Sequence, residues 1–498
     1  MIPNPCPTSN DYSMTLTDDN LERLTSEVKD YQITHGSLLK LVGYEAESTV
    51  PARPVNVSLA PTAFPATALR NALDLQPLYN ELYMKAASDE RWLAEILGPL
   101  IQHDEFIAAL WGIWLKVKEV GAVQPIVCGI FRSDYMLHSE LGYTGLKQVE
   151  MNTFSVAGAC HGERVAGMHR HLRRVRTVEE TFTPGGELSG NDNTQFLVRV
   201  LQKAHQVYND LRITTSRLCI LMIVQPSNFN VADERPLEYS LWDNHVPCYR
   251  CEWQEILTRT TISPDRTLHF TPRPNGPCLE VSVVYYRAGY QAIEYDEPGT
   301  EGRLRLELSR AIQCPDVLTH LTTFKAVQEA LTTPGALERF LSPGTAQRVR
   351  ETFMPMQVLN ASTAGLKARA RAIRRETARN CVLKPNLEGG GNNVHGEAIV
   401  DFLKTVPEEG WGKYVLMKQI ETPGEEGCLM MLDGIYQGGV VSELGVLGTC
   451  LWERERGSVQ VLSSETAGWT FKTKPEDVKE MSVVKGYGCF DSPNLVED

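Results

Sequence analysis

The chain predicts an α/β (α+β) enzyme, and three observations carry that prediction. Strand-sized apolar runs such as Leu218 to Val224 recur along it. Between them lie stretches with apolar residues at helical spacing, and such alternation builds mixed sheets flanked by helices. At 498 residues the chain exceeds one simple core, so two or three subdomains are expected.

Taken in order, residues 68–118 read as helical, with amphipathic runs at Asn71 to Ala87 and Arg91 to Ile101. Strands follow at Ile126 to Phe131 and at Lys147 to Met151. Arg164 to Val175 reads as a helix, and its His169, Arg170, His171, Arg173 and Arg174 as a solvated face. Thr183 to Asn193 is rich in glycine, asparagine and serine and predicts a variable loop. Helix Thr194 to Asp210 leads into strand Leu218 to Gln225, and another strand is expected at Leu279 to Tyr286. Residues 214–322 read as an inserted α/β unit, which leaves 1–213 and 323–498 as the core. Basic helical sequence at Gly365 to Arg379 precedes strand Cys381 to Leu383, and three strand-like runs follow at Tyr414 to Ile420, Gly439 to Leu451 and Val459 to Leu462. No internal repeat is evident.

The bulk properties exclude several classes. With 49 basic against 62 acidic residues the net charge is −13, which argues against general affinity for nucleic acid or an anionic membrane. A local basic pocket for a nucleotide remains compatible with that balance. No segment approaches the roughly 20 apolar residues of a membrane span. Met1 to Asn20 has neither a basic residue nor an apolar centre, so no secretory signal is expected. The cysteines sit mostly in apolar contexts (Cys128, Cys219, Cys381, Cys450) and read as buried free thiols of a reducing, cytoplasmic compartment. Cys248 and Cys251 form one CxxC with no second pair at zinc-site spacing, and read as chance or a surface loop.

The most informative stretch is Lys384-Pro385-Asn386-Leu387-Glu388-Gly389-Gly390-Gly391-Asn392-Asn393. It follows the strand and precedes Gly396 to Leu403, where apolar residues fall at helical spacing. A glycine loop between strand and helix lets backbone N–H groups close on an anion at a helix N-terminus. A bare triple glycine is equally a surface turn; Lys384 and Glu388 favour a phosphate-and-metal cradle, which needs such charges. It is not a Walker A loop, because the Gly412-Lys413 pair lacks both the first glycine and the Ser/Thr. It is not a dinucleotide fingerprint, since Val394 stands where the last glycine would fall. The protein-kinase motif set is absent as well.

This loop closely resembles the ATP-binding loop of eukaryotic glutathione synthetases, ATP-grasp carbon–nitrogen ligases. The resemblance spans most of the chain: it recurs, in order, at Phe131 to Tyr135, Gln148 to Thr153, Val284 to Tyr290, Cys314 to Asp316 and Ser442 to Gly445. It implies an ATP-grasp fold in which 214–322 is the inserted substrate-binding unit and about 355–440 the lid. It also implies ATP as co-substrate, two Mg²⁺ ions, small-molecule substrates and a homodimer. Glu150, Asn152 and Glu388 match the metal ligands, hard oxygen donors suited to Mg²⁺. Lys325, Lys384 and Lys474 match the phosphate lysines, and Glu150, Glu388, Gly389, Gly390, Gly391, Asn392, Asn393 and His395 fall in the ATP-binding set. Met417, Lys418, Gln419 and Ile420 match the adenine-contacting run, and Glu443 the carboxylate at the nucleoside end. Arg132, Phe154, Ser155, Val156, Ala157, Asn228, Phe229, Asn230, Glu234, Arg287, Ala288, Gly289 and Tyr290 match residues that grip γ-glutamylcysteine, whose carboxylates suit a guanidinium. Arg132 and Lys472 match the catalytic positions, and Lys472, Val483 and Val484 the acceptor site.

The departures cluster at the substrates. Ala157 replaces a serine, Glu234 a glutamine, His395 an aromatic and Met417-Lys418 a Met-Glu pair. Lys472 replaces an arginine, keeping charge but losing the planar fork. Met481-Ser482-Val483-Val484-Lys485-Gly486 replaces G-G-V-A-A-G, the loop that closes over glycine. The phosphate machinery is therefore expected intact and the acceptor site rebuilt, which leaves three readings: a ligase for γ-glutamylcysteine and glycine, the same chemistry with a different amine or acid, or a non-catalytic nucleotide-binding homologue.

Overall fold

The largest core forms where three amphipathic helices, Ala66–Ser88, Glu90–Ile101 and Glu105–Val120, lay their apolar stripes on a sheet. This computed structural model describes residues 17–43, 49–140, 143–175, 186–212, 214–385, 392–455 and 458–497. The helices have local causes. Asp104 caps the third, accepting from Phe106 and Ile107 N–H at 3.0 and 3.1 Å, a cap worth about 1 kcal/mol. Gly121, at φ 93°, ends it in a conformation that glycine adopts without strain.

The sheet beneath has thirteen strands among the described residues. Its spine is Ile126–Glu140, whose fifteen residues outrun the predicted Ile126 to Phe131. One flank pairs antiparallel with Gly434–Glu455. The other meets Ile312–Cys314 in parallel near its start and Tyr143–Asn152 antiparallel further on. Leu218–Val224, Cys248–Glu252 and Leu279–Tyr286 run parallel beyond Ile312–Cys314, and the continuous apolar runs Leu218–Val224 and Leu279–Tyr286 are wholly buried. The strands of 214–322 thus continue the same sheet. Gly434–Glu455 also forms a long hairpin with Ser458–Pro475, where the sequence had suggested only Val459 to Leu462. The polar run Ser463, Ser464, Glu465, Thr466 conceals the second half of that strand from an apolar-run reading.

A second, four-stranded antiparallel sheet stands apart: Met356–Val358, Tyr414–Lys418, Cys381–Pro385 and Val394–His395. The basic helices Thr363–Ala372 and Arg375–Ala378 pack with it around Leu383, Ile399 and Trp411. The glycine-rich stretch does not open directly into a helix, because Val394 and His395 first pair back onto Leu383 and Val382. The helix after them begins only at Ala398.

Two further expectations change. Helix Ala159–Val175 forms as predicted, but His169 is not on a solvated face. It falls on the same stripe as Val165 and Leu172 and is fully buried, with its ring nitrogens 2.6 Å from Ser492 Oγ and 2.9 Å from the Ser58 carbonyl. Cys248 and Cys251 are buried on a strand rather than in a surface loop. Ten of the eleven described cysteines are buried thiols, Cys278 being the exposed one. No helix among the described residues is long and apolar enough to cross a membrane. Residues 183–185 of the expected variable loop and 1–16 of the N-terminus lie outside the described residues.

Candidate active site

Strand alternation places Glu150 and Asn152 on one face of Tyr143–Asn152, over the cleft between the two sheets. The Asn152 amide donates to Asp134 at 3.1 Å and to Glu150 at 3.3 Å, which leaves its carbonyl oxygen as a donor atom for a cation. Lys325, at the start of helix Lys325–Thr332, puts Nζ 3.0 Å from Glu150. Lys384, from the four-stranded sheet, donates to the Val149 carbonyl at 2.7 Å. Burial would raise the Glu150 carboxyl, but the two ammonium groups outweigh it and hold it well below the usual carboxylate range. Burial and the Lys325 charge push Lys384 down to about 8, against the pull of Glu150. The Glu150 side chain keeps 27% exposure, facing the cavity.

Lys472 and Lys474 alternate along Ser458–Pro475 on the face towards the cavity, with Thr473 turned to the opposite side. In register with Lys472 stands Glu443, and their side chains form an ion pair. Burial raises the Glu443 carboxyl against the pull of Lys472. Arg132 faces the same space, held flat by two bonds to Asp134 at 2.6 and 2.8 Å and by a third to the Ala157 carbonyl at 2.9 Å.

At the far end Arg287 is buried beside two carboxylates. It donates to Asp233 at 3.0 Å and to the Val156 carbonyl, and its Nε lies 3.6 Å from Glu234. Glu234 also pairs with Arg250 at 2.9 Å and accepts from Asn228 at 2.6 Å. Burial raises its carboxyl, against the pull of both arginines. Asn228 in turn accepts from the Asn230 backbone at 2.7 Å, which fixes the 228–230 turn.

One cavity of about 1010 Å³ joins these clusters. It also takes in Phe154, Ser155, Val156, Ala157, Phe229, Tyr290, Asn392, Asn393, His395, Met417, Lys418, Gln419, Ile420, Val483 and Val484. Ala288 and Gly289 lie behind the wall: Ala288 is fully buried, and a Cβ on Gly289 (φ 89°) would come 2.4 Å from Trp253. Their part is to seat Tyr290. Lys418 pairs with Glu140 at 2.8 Å, tying the small sheet to the spine of the large one. Glu388, Gly389, Gly390 and Gly391 lie outside the described residues.

The donor set suits Mg²⁺. Glu150 and Asn152 supply two hard oxygens side by side, flanked by the lysines that would meet phosphate. No cluster of three or more His, Cys, Asp or Glu with metal-holding geometry occurs among the described residues. An ion here would complete its shell from phosphate oxygens, as Mg²⁺ does with nucleotides.

Sequence reasoning passed over several residues that build the site. Asp134 holds both Arg132 and Asn152, and Asp233 holds Arg287 and the N–H groups of Gly158 and Cys160 at 2.9 Å. Glu480, on the C-terminal loop, pairs with His395 at 3.1 Å. His161 also lines the cavity. For Asp134 a signal existed, an acid two residues after Arg132 inside an apolar strand. For Glu480, in a run of charges, there was none.

Comparison with known proteins places this arrangement. A structure of a glutathione synthetase like-effector from Globodera pallida superposes with a TM-score of 0.74 over 97% of this chain and 99% of its own, at 21% identity, and so shares the fold. The chain is 31% identical to the glutathione synthetase large chain of Schizosaccharomyces pombe over 97% of itself and 99% of that protein. It is 30% identical to glutathione synthetase from Homo sapiens over 95% of itself and 96% of that protein. The family model for the eukaryotic glutathione synthase ATP-binding domain matches residues 18–495, and the chain belongs to that family, with its ATP-grasp fold.

Proposed function

We propose that this chain is an ATP-dependent carboxylate–amine ligase of the glutathione synthetase type, forming glutathione from γ-glutamylcysteine and glycine. The observation that carries this reading is the single cavity that joins the Glu150–Asn152–Lys325–Lys384 cluster to the Arg132–Arg287 end. An oxygen of the acid substrate attacks the γ-phosphorus of ATP, the bond to the β–γ bridging oxygen breaks, and ADP leaves. The amine nitrogen then attacks the acyl carbon, loses a proton, and phosphate departs. Such chemistry is mostly positioning and charge neutralisation.

The residues divide that work. Lys325, Lys384 and Lys474 neutralise the phosphates, while Glu150 and Asn152, with Glu388, would hold Mg²⁺. The ions supply further charge neutralisation when bound. Met417, Gln419 and Ile420 meet the adenine, and Glu443 the nucleoside. Arg132 and Arg287 take the carboxylates of the acid substrate, with Asn230 and Tyr290 beside them. Lys472, Val483 and Val484 bound the acceptor. The reading treats 214–322 as the substrate-binding unit and about 355–440 as the lid. It extends to a cytoplasmic homodimer that acts on small molecules, with family membership supporting the dimer and the substrates and the buried free thiols supporting a reducing compartment.

A second reading keeps the chemistry and changes the acceptor. It is favoured by Lys472, whose ammonium is already engaged by Glu443, and by Val484, 44% exposed in the cavity wall. ADP release measured with γ-glutamylcysteine and a panel of amino acids separates the two. Fastest turnover with glycine supports the first, and turnover only with another amine supports the second. No turnover with any pair would overturn both.

A further inference from the structure

The cavity wall beside Val156, Ala157 and Gly158 contains a histidine with no assigned task. Helix Ala159–Val175 begins there, and Asp233 pins its first turn by accepting from Gly158 and Cys160 N–H, each at 2.9 Å. This sets His161 in the cavity wall, 2% exposed, with its ring stacked on Phe490 at a centroid distance of 5.2 Å. Neither ring nitrogen has a hydrogen-bond partner among the described residues. Leaving a buried polar group unpaired forfeits its hydration without return, so a group in this position points to a ligand.

The surroundings say which part of a ligand. Arg132 bonds the Ala157 carbonyl and Arg287 the Val156 carbonyl, so both guanidinium groups are tied to the turn that leads into His161. A γ-glutamyl dipeptide carries a carboxylate near each end, and two arginines bracketing one turn place its middle against that turn. Val156, Ala157 and Gly158 offer no side-chain hydrogen-bonding group there, and His161 supplies one. Burial lowers the imidazole to about 4, so it is neutral at ordinary pH, with one N–H and one lone pair. Such a ring is best matched by a group that both donates and accepts.

We propose that His161 is a specificity-determining contact of the acid substrate, hydrogen-bonded to the thiol or hydroxyl on the residue whose carboxylate is activated. The proposal rests on reading the Arg132–Arg287 end as the acid-substrate site. The test compares γ-glutamylcysteine, γ-glutamylserine and γ-glutamyl-α-aminobutyrate, which carry SH, OH and CH₃ at that position. The full-length chain should show kcat/KM about tenfold lower for the methyl substrate than for the better of the other two. His161→Leu should shrink that gap to within about twofold through KM of the acid, leaving KM for ATP unchanged. His161→Gln, which keeps a donor and an acceptor, should restore part of it. A gap that persists in His161→Leu, or that is absent in the wild type, overturns the proposal. Whichever of SH and OH is preferred names the side chain.

A second measurement separates failure of this contact from failure of the ligase reading. With histidine-selective isotope labelling, γ-glutamylcysteine or γ-glutamylserine should shift the resonance that disappears in His161→Leu, and the methyl analogue should shift it less. That shift without turnover would keep the contact and sink the ligase. Turnover without it would sink the contact and keep the ligase.

Discussion

Asp491 makes no contact with the cavity, yet it sets the strand that carries Lys472 and Lys474. Its carboxyl accepts from Thr473 at 2.7 Å, from Thr62 at 2.6 Å and from the Ser492 N–H at 2.7 Å. Burial nonetheless pushes it up to about 7, while burial pushes His169, 4.0 Å away, down to about 4. The two shifts act on stability with opposite sign. Between about 4 and 7 the folded state binds more protons at Asp491 than the unfolded chain does, so stability falls as pH rises through that window. At His169 the unfolded chain binds more protons between about 4 and 6.5, so stability rises there. Asp491→Asn removes the first slope and leaves the second. Urea unfolding from pH 4 to 7 should therefore show the variant gaining on the wild type by up to about 1.4 kcal/mol per pH unit. A constant difference across the window would refute the assignment. None of this was legible in the sequence, where Cys489-Phe490-Asp491 is a short run with one acid and His169 sits in a basic cluster. Lys384, Glu150 and Arg132 were legible because they fall in ordered motifs whose chemistry needs those residue types.

Among elements, the strand Val394–His395 and the C-terminal loop 479–486 meet in the cavity wall. Their link is the His395–Glu480 contact at 3.1 Å, with both side chains less than one-fifth exposed. The sequence showed His395 only as a departure from an aromatic, and its partner lies 85 residues away. A period or motif reading reports neighbours along one element, so a contact between two loops escapes it. The second half of Ser458–Pro475 was hidden for another reason, the consecutive polar residues 463–466 that interrupt its apolar pattern. The fold class and most helices were legible because apolar spacing reports them directly. If the contact latches the two elements, His395→Ala and Glu480→Ala should each speed amide exchange in both 393–396 and 479–486. The double variant should add little beyond either single one, with a coupling of about 1 kcal/mol. Faster exchange confined to the mutated segment would show that the elements move independently.

Across the whole molecule, ligand and fold are tied because the cavity is walled by residues from Leu39 to Phe490. The small sheet meets the large one through Lys384 to Val149, Lys418 to Glu140 and the Ser139 N–H to Glu421 carbonyl at 2.8 Å. These polar contacts add to apolar burial that the sheets share, since Val358 and Val415 of the small sheet sit in the same core as Val446 and Phe471 of the large one. A nucleotide seated between the sheets would join them, and whatever binds only the folded state stabilises it by mass action. MgATP at about 100 times its Kd should therefore raise unfolding free energy by about 2.7 kcal/mol. Lys384 is the residue on which this depends, since it crosses from the small sheet to the Glu150 strand. Burial lowers its ammonium to about 8, so the ligand-free fold holds this charge against a desolvation cost that Glu150 only partly offsets. Lys384→Met should leave ligand-free stability within about 1 kcal/mol of the wild type, because Glu150 keeps Lys325. The same change should remove most of the gain with MgATP. Urea midpoints with and without MgATP, at saturating concentrations set for the wild type, measure both quantities at once. An undiminished gain in Lys384→Met would mean that the nucleotide does not bridge the two sheets through this lysine.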